Sequence, residues 1–196
     1  RRVLFRSKLS AKTVGGFNSM KDGEHYTNTV YTPIFQIVKY AFKDGKAVET
    51  ILTSNDLIYK GDTISVNDYQ FSSDENLLLI STNTEAIYRH SSKSDFYVYN
   101  RTSKQLSKIT QQEKVMYCQF SPDNKHVAYV KENNLFIYDL TTNVETSVTN
   151  DGKKNSIING ATDWVYEEEF SMDVAYEWSP RSEEHTSELQ SHSDLV

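Results

Sequence analysis

A chain that repeats itself is restricted to the few architectures that repetition can build. Tyr69 to Ile80, "YQFSSDENLLLI", and Cys118 to Val130, "CQFSPDNKHVAYV", share an Asp-centred turn between apolar runs, with Phe71 and Phe120 49 residues apart. The stretches that follow, "DFYVYNRTSKQLSKIT" and "NLFIYDLTTNVETSVT", set Tyr99 against Tyr138 at an offset of 39. Each unit reads as strand, Asp-centred turn, strand, strand, polar turn, strand. "FNSMKDGEHYT" carries the same turn at Asp22, and "YEWSP" (176–180) opens another unit. Four short strands recurring at roughly 40 to 50 residues are the sequence form of a β-propeller blade. A sandwich would not repeat in this way. The expected fold is all-β: a partial propeller of about three blades, each a four-stranded antiparallel sheet, with a short helical excursion near 163–170.

Turn chemistry and composition agree with this. Ser121-Pro-Asp-Asn and Lys43-Asp-Gly-Lys combine a proline-set φ with residues that tolerate left-handed backbone, as hairpins require. "HVAYV" and "LFIYDL" are apolar at nearly every position, the pattern of strands covered on both faces by neighbouring blades. Of 196 residues, 37% are hydrophobic and 12% aromatic, with no sustained helical pattern, so the chain is globular material that favours strands. No run approaches the ~18 apolar residues of a membrane span. The net charge of −6 argues against a nucleic-acid surface and fits solubility or a cationic ligand. Cys118 is the one cysteine, so no internal disulfide forms; within "VMYCQF" it reads as a packed strand residue. Histidines are too scattered for a zinc site, and no metal or cofactor is expected. His25 and His126 fall in strand or turn contexts without triad partners, and His90 reads as a loop residue.

The two offsets differ by ten, so the first unit carries about ten extra residues between its second and third strands. They include "EAIYRHSSKS" and with it Arg89. After Thr149 comes a second excursion, "NDGKKNSIINGATDWVYEEEFSMDVA". The segments that interrupt the repeat hold the unusual charge, and loops on a rigid scaffold are where function concentrates. Asp163 is placed to cap a short helical turn whose positive end favours glutamate, while Trp164, Val165, Tyr166 and Phe170 are expected to supply an apolar, anchoring side. Adjacent carboxylates repel, so holding them together points to a cation between them. A primary ammonium, with three donors and one charge, suits such a pair.

The two ends have a different character. "RRVLFRS" (1–7) and "RSEEHTSELQS" (181–191) resemble translated sequencing adapters. Residues 181 to 187 can be written AGA TCG GAA GAG CAC ACG TCT, and the reverse complement of that string translates as RRVLFRS, the head of the chain. The expected division is an adapter-like head at 1–7, propeller sequence at 8–180, and an adapter-like tail at 181–196. "WSP" at 178–180 also stops where the repeat calls for an Asp or Asn turn and an apolar strand.

From Lys8 to Pro180 the chain resembles the dipeptidyl peptidase IV branch of the prolyl oligopeptidase-type serine peptidases. "DWVYEEEF" (163–170) followed by "WSP" carries the resemblance most specifically, and "YRHS" (88–91) is a second match. The resemblance implies an eight-bladed N-terminal propeller joined to a C-terminal α/β-hydrolase domain, in a peptidase that removes N-terminal dipeptides with Pro or Ala second. By motif it implies that Glu168 and Glu169 bind the substrate's α-ammonium and that Arg89 contacts a substrate carbonyl. Glu167, Tyr166, Trp164 and Asp163 have supporting roles. It implies as partners a peptide N-terminus, the hydrolase domain and, in the parent, a second copy; it also implies a location outside the cytoplasm. No G-x-S-x-G nucleophile elbow occurs in the sequence, so this polypeptide alone is not expected to hydrolyse peptides. A propeller interaction module, or an inactive family member binding a basic group, is the competing reading. Asn100-Arg-Thr is an N-glycosylation pattern, meaningful only in a secretory eukaryote.

Overall fold

The computed structural model describes residues 16–110, 113–154, 156–180 and 189–191. The adapter-like head therefore lies outside the described residues, as does the adapter-like tail except for one short strand. The chain divides into two compact units, residues 1–54 and 55–196.

The first unit holds a four-stranded antiparallel meander of β1 (Asn18–Ser19), β2 (His25–Val30), β3 (Gln36–Ala41) and β4 (Ala47–Thr53), in that order. Its first turn is set by Asp22, whose Oδ1 accepts the amides of Glu24 and His25 at 2.9 Å each. The other carboxylate oxygen meets His25 Nδ1 at 2.6 Å and Lys39 Nζ at 3.3 Å, tying the turn to β3. Ile37, Ile51 and Leu52 are buried in this unit.

The second unit opens with a small hairpin, β5 (Ile58–Tyr59) and β6 (Asp62–Thr63). A second meander follows: β7 (Asp68–Phe71), β8 (Leu77–Ala86), β9 (Ser92–Asn100) and β10 (Gln105–Lys108). The third consists of β11 (Met116–Phe120), β12 (His126–Lys131), β13 (Asn134–Asp139) and β14 (Glu145–Ser147). Beyond them come helix α1 (Trp164–Phe170), then β15 (Tyr176–Trp178) paired with β16 (Leu189–Ser191).

The two repeats found in the sequence fold through the same bonds. Ser72 Oγ donates to Asp74 Oδ1 at 2.6 Å and accepts the amide of Leu77 at 2.9 Å. In the next sheet Ser121 Oγ donates to Asp123 Oδ1 at 2.5 Å and accepts the amide of His126 at 2.9 Å. Glu75 and Asn124 occupy the left-handed position of their turns, at φ 59° and 60°. The turns also join each other: Asn124 Oδ1 accepts both the amide and the hydroxyl of Ser73 at 2.9 Å.

These two sheets pack as neighbouring blades, and the apolar strand β12 shows how. Val127 and Tyr129 point to one face, packing with Leu79 and Val98 of the preceding sheet and with Val115, Cys118 and Phe120. Ala128 and Val130 point to the other, packing with Leu135, Ile137, Ala161, Tyr176 and Trp178. With side chains alternating at period two, a strand covered on both faces must be apolar throughout. The three four-stranded meanders make the fold a partial β-propeller.

Candidate functional site

The ten extra residues of the first repeat lengthen a hairpin. Strand β8 has ten residues where its counterpart β12 has six. Its pairing with β9 continues past Thr82↔Asp95, through a register shift, to Glu85↔Lys93 and Ala86↔Ser92. The shift falls at Asn83, whose φ of 53° marks a bulge. Polar contacts hold the resulting arm in place. Asp95 receives Asn83 Nδ2 at 3.0 Å and Lys108 Nζ at 2.7 Å, and Glu85 receives Lys114 at 2.5 Å and Lys93 at 3.2 Å. Salt links to both lysines hold the Glu85 carboxyl below its usual range. At its base the arm exchanges backbone bonds with the lead-in to β11, Ser94 with Val115, at 2.9 and 3.0 Å. The arm ends in the loop 87–91, closed by the amides of Ile87 and Tyr88 donating to Ser91 O, and Arg89 stands on that loop.

Helix α1 comes from the second excursion. Its stems pair through the bridge Ala161↔Val174 and the bond from Ala175 N to Gly160 O at 3.1 Å. Gly160 is required at that point. Its φ is 77°, and a Cβ there would lie 2.7 Å from Val130 Cγ2. Asp163 caps the helix as expected, its Oδ1 accepting the amides of Val165 at 2.9 Å and Tyr166 at 3.0 Å. Ser171 ends it in the left-handed conformation, φ 54°, with its amide donating to Tyr166 O.

Helix and arm meet at the glutamates. Glu167 is 2% exposed, and its Oε1 accepts the amides of His90 at 2.6 Å and Ser91 at 2.9 Å. Burial pulls this carboxyl's pKa upward; the two amides, together with the Ser91 hydroxyl and the His90 ring, outweigh it, and the net result lies below the usual glutamate value. Glu168, the next residue, meets Arg89 Nη1 at 3.3 Å through Oε2, with side-chain exposures of 70% for Arg89 and 20% for Glu168. Glu169, the next residue on the helix, is exposed. Ion pairs as open as this one contribute roughly 0–1 kcal/mol, so Arg89 is easily drawn to another acceptor.

The structure brings Arg89 to Glu168 and the arm's loop to Glu167, while Glu169 is exposed on the same helix; one expectation needs correction. Trp164, Val165 and Phe170 do not form a buried wall; they are 56%, 49% and 64% exposed. Tyr166 alone of the four is half-buried, its ring 5.6 Å from that of Phe170. A seven-residue helix can turn only one face inward, and here that face satisfies the amide of His90 and the buried amide of Ser91, the latter costly to leave without an acceptor. Sequence reasoning missed those donors because a backbone amide has no sequence signal. It also missed Tyr117, an aromatic residue at φ 56° in the irregular stretch of β11 between Met116 and Gln119. A bulky residue there is a backbone outlier, and the Tyr176 hydroxyl holds it by donating to Tyr117 O. Burial pushes the Tyr117 phenol's pKa up, and the charges of Asp173 and Glu167 add to the effect. Tyr117, His90 and Asp173 are among the residues lining a cavity of about 450 Å³, to which β7, β8 and β9 also contribute.

Blades of four antiparallel strands, with a lengthened hairpin set against an acidic helix, define a β-propeller fragment, and its family emerges from comparison with known proteins. The family model for the dipeptidyl peptidase IV (DPP IV) N-terminal region matches residues 72–185. Dipeptidyl aminopeptidase B of Saccharomyces cerevisiae is 30% identical over 176 residues, 89% of this chain and 20% of that protein. Dipeptidyl peptidase 4 of Felis catus is 34% identical over 121 residues, 60% of this chain and 16% of that protein. The crystal structure of Porphyromonas gingivalis dipeptidyl peptidase 4 aligns with a TM-score of 0.77 at 39% identity, covering 84% of this chain and 23% of that one. The chain belongs to the dipeptidyl peptidase IV N-terminal region family. It spans about a fifth of the length of these relatives. Among the described residues no helix is long and apolar enough to cross a membrane.

Proposed function

We propose that this chain is the part of a serine-type dipeptidyl peptidase that holds the amino end of the substrate. Glu168 and Glu169 take the α-ammonium, whose three donors and single charge match two carboxylates. Arg89 leaves its weak pairing with Glu168 to contact a carbonyl of the same peptide. The observation that carries this reading is the 3.3 Å contact between Arg89 and Glu168, made across two segments that are distant in sequence and fixed to each other through Glu167.

The arrangement acts as a ruler. An amino terminus held at a fixed point leaves room for only two residues before a nucleophile on a separate hydrolase domain, so binding energy sets the cleavage position. That domain, Pro or Ala as the second residue, a second copy and a location outside the cytoplasm all belong to the full-length protein in this reading.

The test is kinetic. In the full-length protein, Glu168→Gln and Glu169→Gln each remove one charge-assisted bond of roughly 1.5–3 kcal/mol, which lowers kcat/KM for dipeptide release about 10- to 150-fold. Unchanged kinetics in both variants would remove the anchoring role. Binding of basic peptides without any hydrolysis by the full-length protein would favour the interaction-module reading instead.

A further inference from the structure

Glu167 is turned inward, and among the described residues it makes no ion pair with a side-chain cation. It is buried, and one of its oxygens gathers two consecutive amides, those of His90 and Ser91, from a segment 77 and 76 residues earlier in the chain. Those amides follow Arg89 directly, and Glu167 directly precedes Glu168. The contact therefore joins the backbone carrying the arginine to the backbone carrying the acids, one residue from each. The exposed Arg89–Glu168 pair is too weak to hold the two segments in register, and the arm's other attachments, at Glu85 and Ser94, lie back from its tip.

We propose that Glu167 is a positioning residue, a clamp that sets the separation of Arg89 from Glu168 and Glu169 before any ligand arrives. This rests on the anchoring role proposed above. A carboxylate suits the task because hydrogen bonds to an ionised acceptor are about twice as strong as neutral ones. Glutamine keeps the acceptor oxygen and loses the charge, aspartate keeps the charge and falls a methylene short, and alanine loses both.

The experiment uses the full-length protein with Glu167→Ala, Glu167→Asp and Glu167→Gln, two readouts, and an Ala-Pro chromogenic amide as substrate. Hydrogen exchange over the peptide spanning 87–95, measured without substrate, is expected to rise about tenfold or more in the Ala and Asp variants and less in the Gln variant. KM is expected to rise by about tenfold, up to a hundredfold, with kcat changing less, because misplacement weakens binding more than chemistry. Should the Ala variant fail to fold, the Gln and Asp variants carry the comparison. Wild-type exchange in both folded variants overturns the clamp, as does a loss confined to kcat. The exchange readout needs no substrate, so it judges the clamp even if Glu168→Gln and Glu169→Gln leave the kinetics intact and anchoring falls. Loss of activity in those two with wild-type exchange and KM in all Glu167 variants would leave anchoring in place and remove the clamp.

Discussion

Three adjacent glutamates have three environments. Glu167 is buried under two amides, Glu168 is paired with Arg89, and Glu169 is exposed. The first has a pH consequence. Its folded pKa lies below the unfolded value, so its contribution to stability is fully present above the ordinary glutamate range and is lost as pH falls through the lowered value. Exchange protection of the 87–91 loop, corrected for intrinsic rates, should hold from neutral pH down to that range and weaken below it, as in the Gln variant. Protection that weakens instead as pH rises from 5 toward 8 would contradict the assignment. At this scale the sequence was legible only in part. "DWVYEEEF" announced the acids and "YRHS" the arginine, because charge and motif are properties of residue identity. Which glutamate is buried was not legible, because its partners are amides, and carboxylates are rarely fully buried.

At the scale of elements, local chemistry was the most readable. The Ser-x-Asp turns, the Asp163 cap and the extra length of the first repeat each follow from residues within a few positions of one another, and each appears as a turn, a cap or a longer hairpin. Contacts that cross the chain were not readable, which is why the apolar side of α1 was expected to be inward and is outward. The cap yields a prediction: Asp163→Ala should lower stability by about 1 kcal/mol, read from the denaturant midpoint of the full-length protein. Gly160→Ala should cost more, since it meets both a left-handed φ and Val130 Cγ2 at 2.7 Å. Leu135→Ala, at a side chain 1% exposed in the cluster beneath the stem of α1, should cost roughly 2–5 kcal/mol through the cavity it leaves. If Gly160→Ala proved neutral, the close seat of the excursion on β12 would be wrong.

For the molecule as a whole, repetition made the architecture legible: one turn motif seen twice, with its spacing, was enough to predict blades of four strands. How many blades the full-length protein has is information the repeat does not carry, since a blade specifies its neighbours and not the size of the ring. A few blades cut from a closed propeller leave strand edges and apolar faces that the rest of the ring would cover. Expressed alone, residues 8–180 should associate or remain partly unfolded; a single cooperative, concentration-independent melting transition of a monomer would refute this. The arm points to a further property of the ring. Because β8 and β9 run as paired strands beyond the sheet, each residue added to both would carry the arginine about 3.3 Å farther and turn the opposite side of the ribbon toward the acids. The reach of the arm can then be lengthened only in two-residue steps on each strand, each step moving Arg89 by about 6.6 Å.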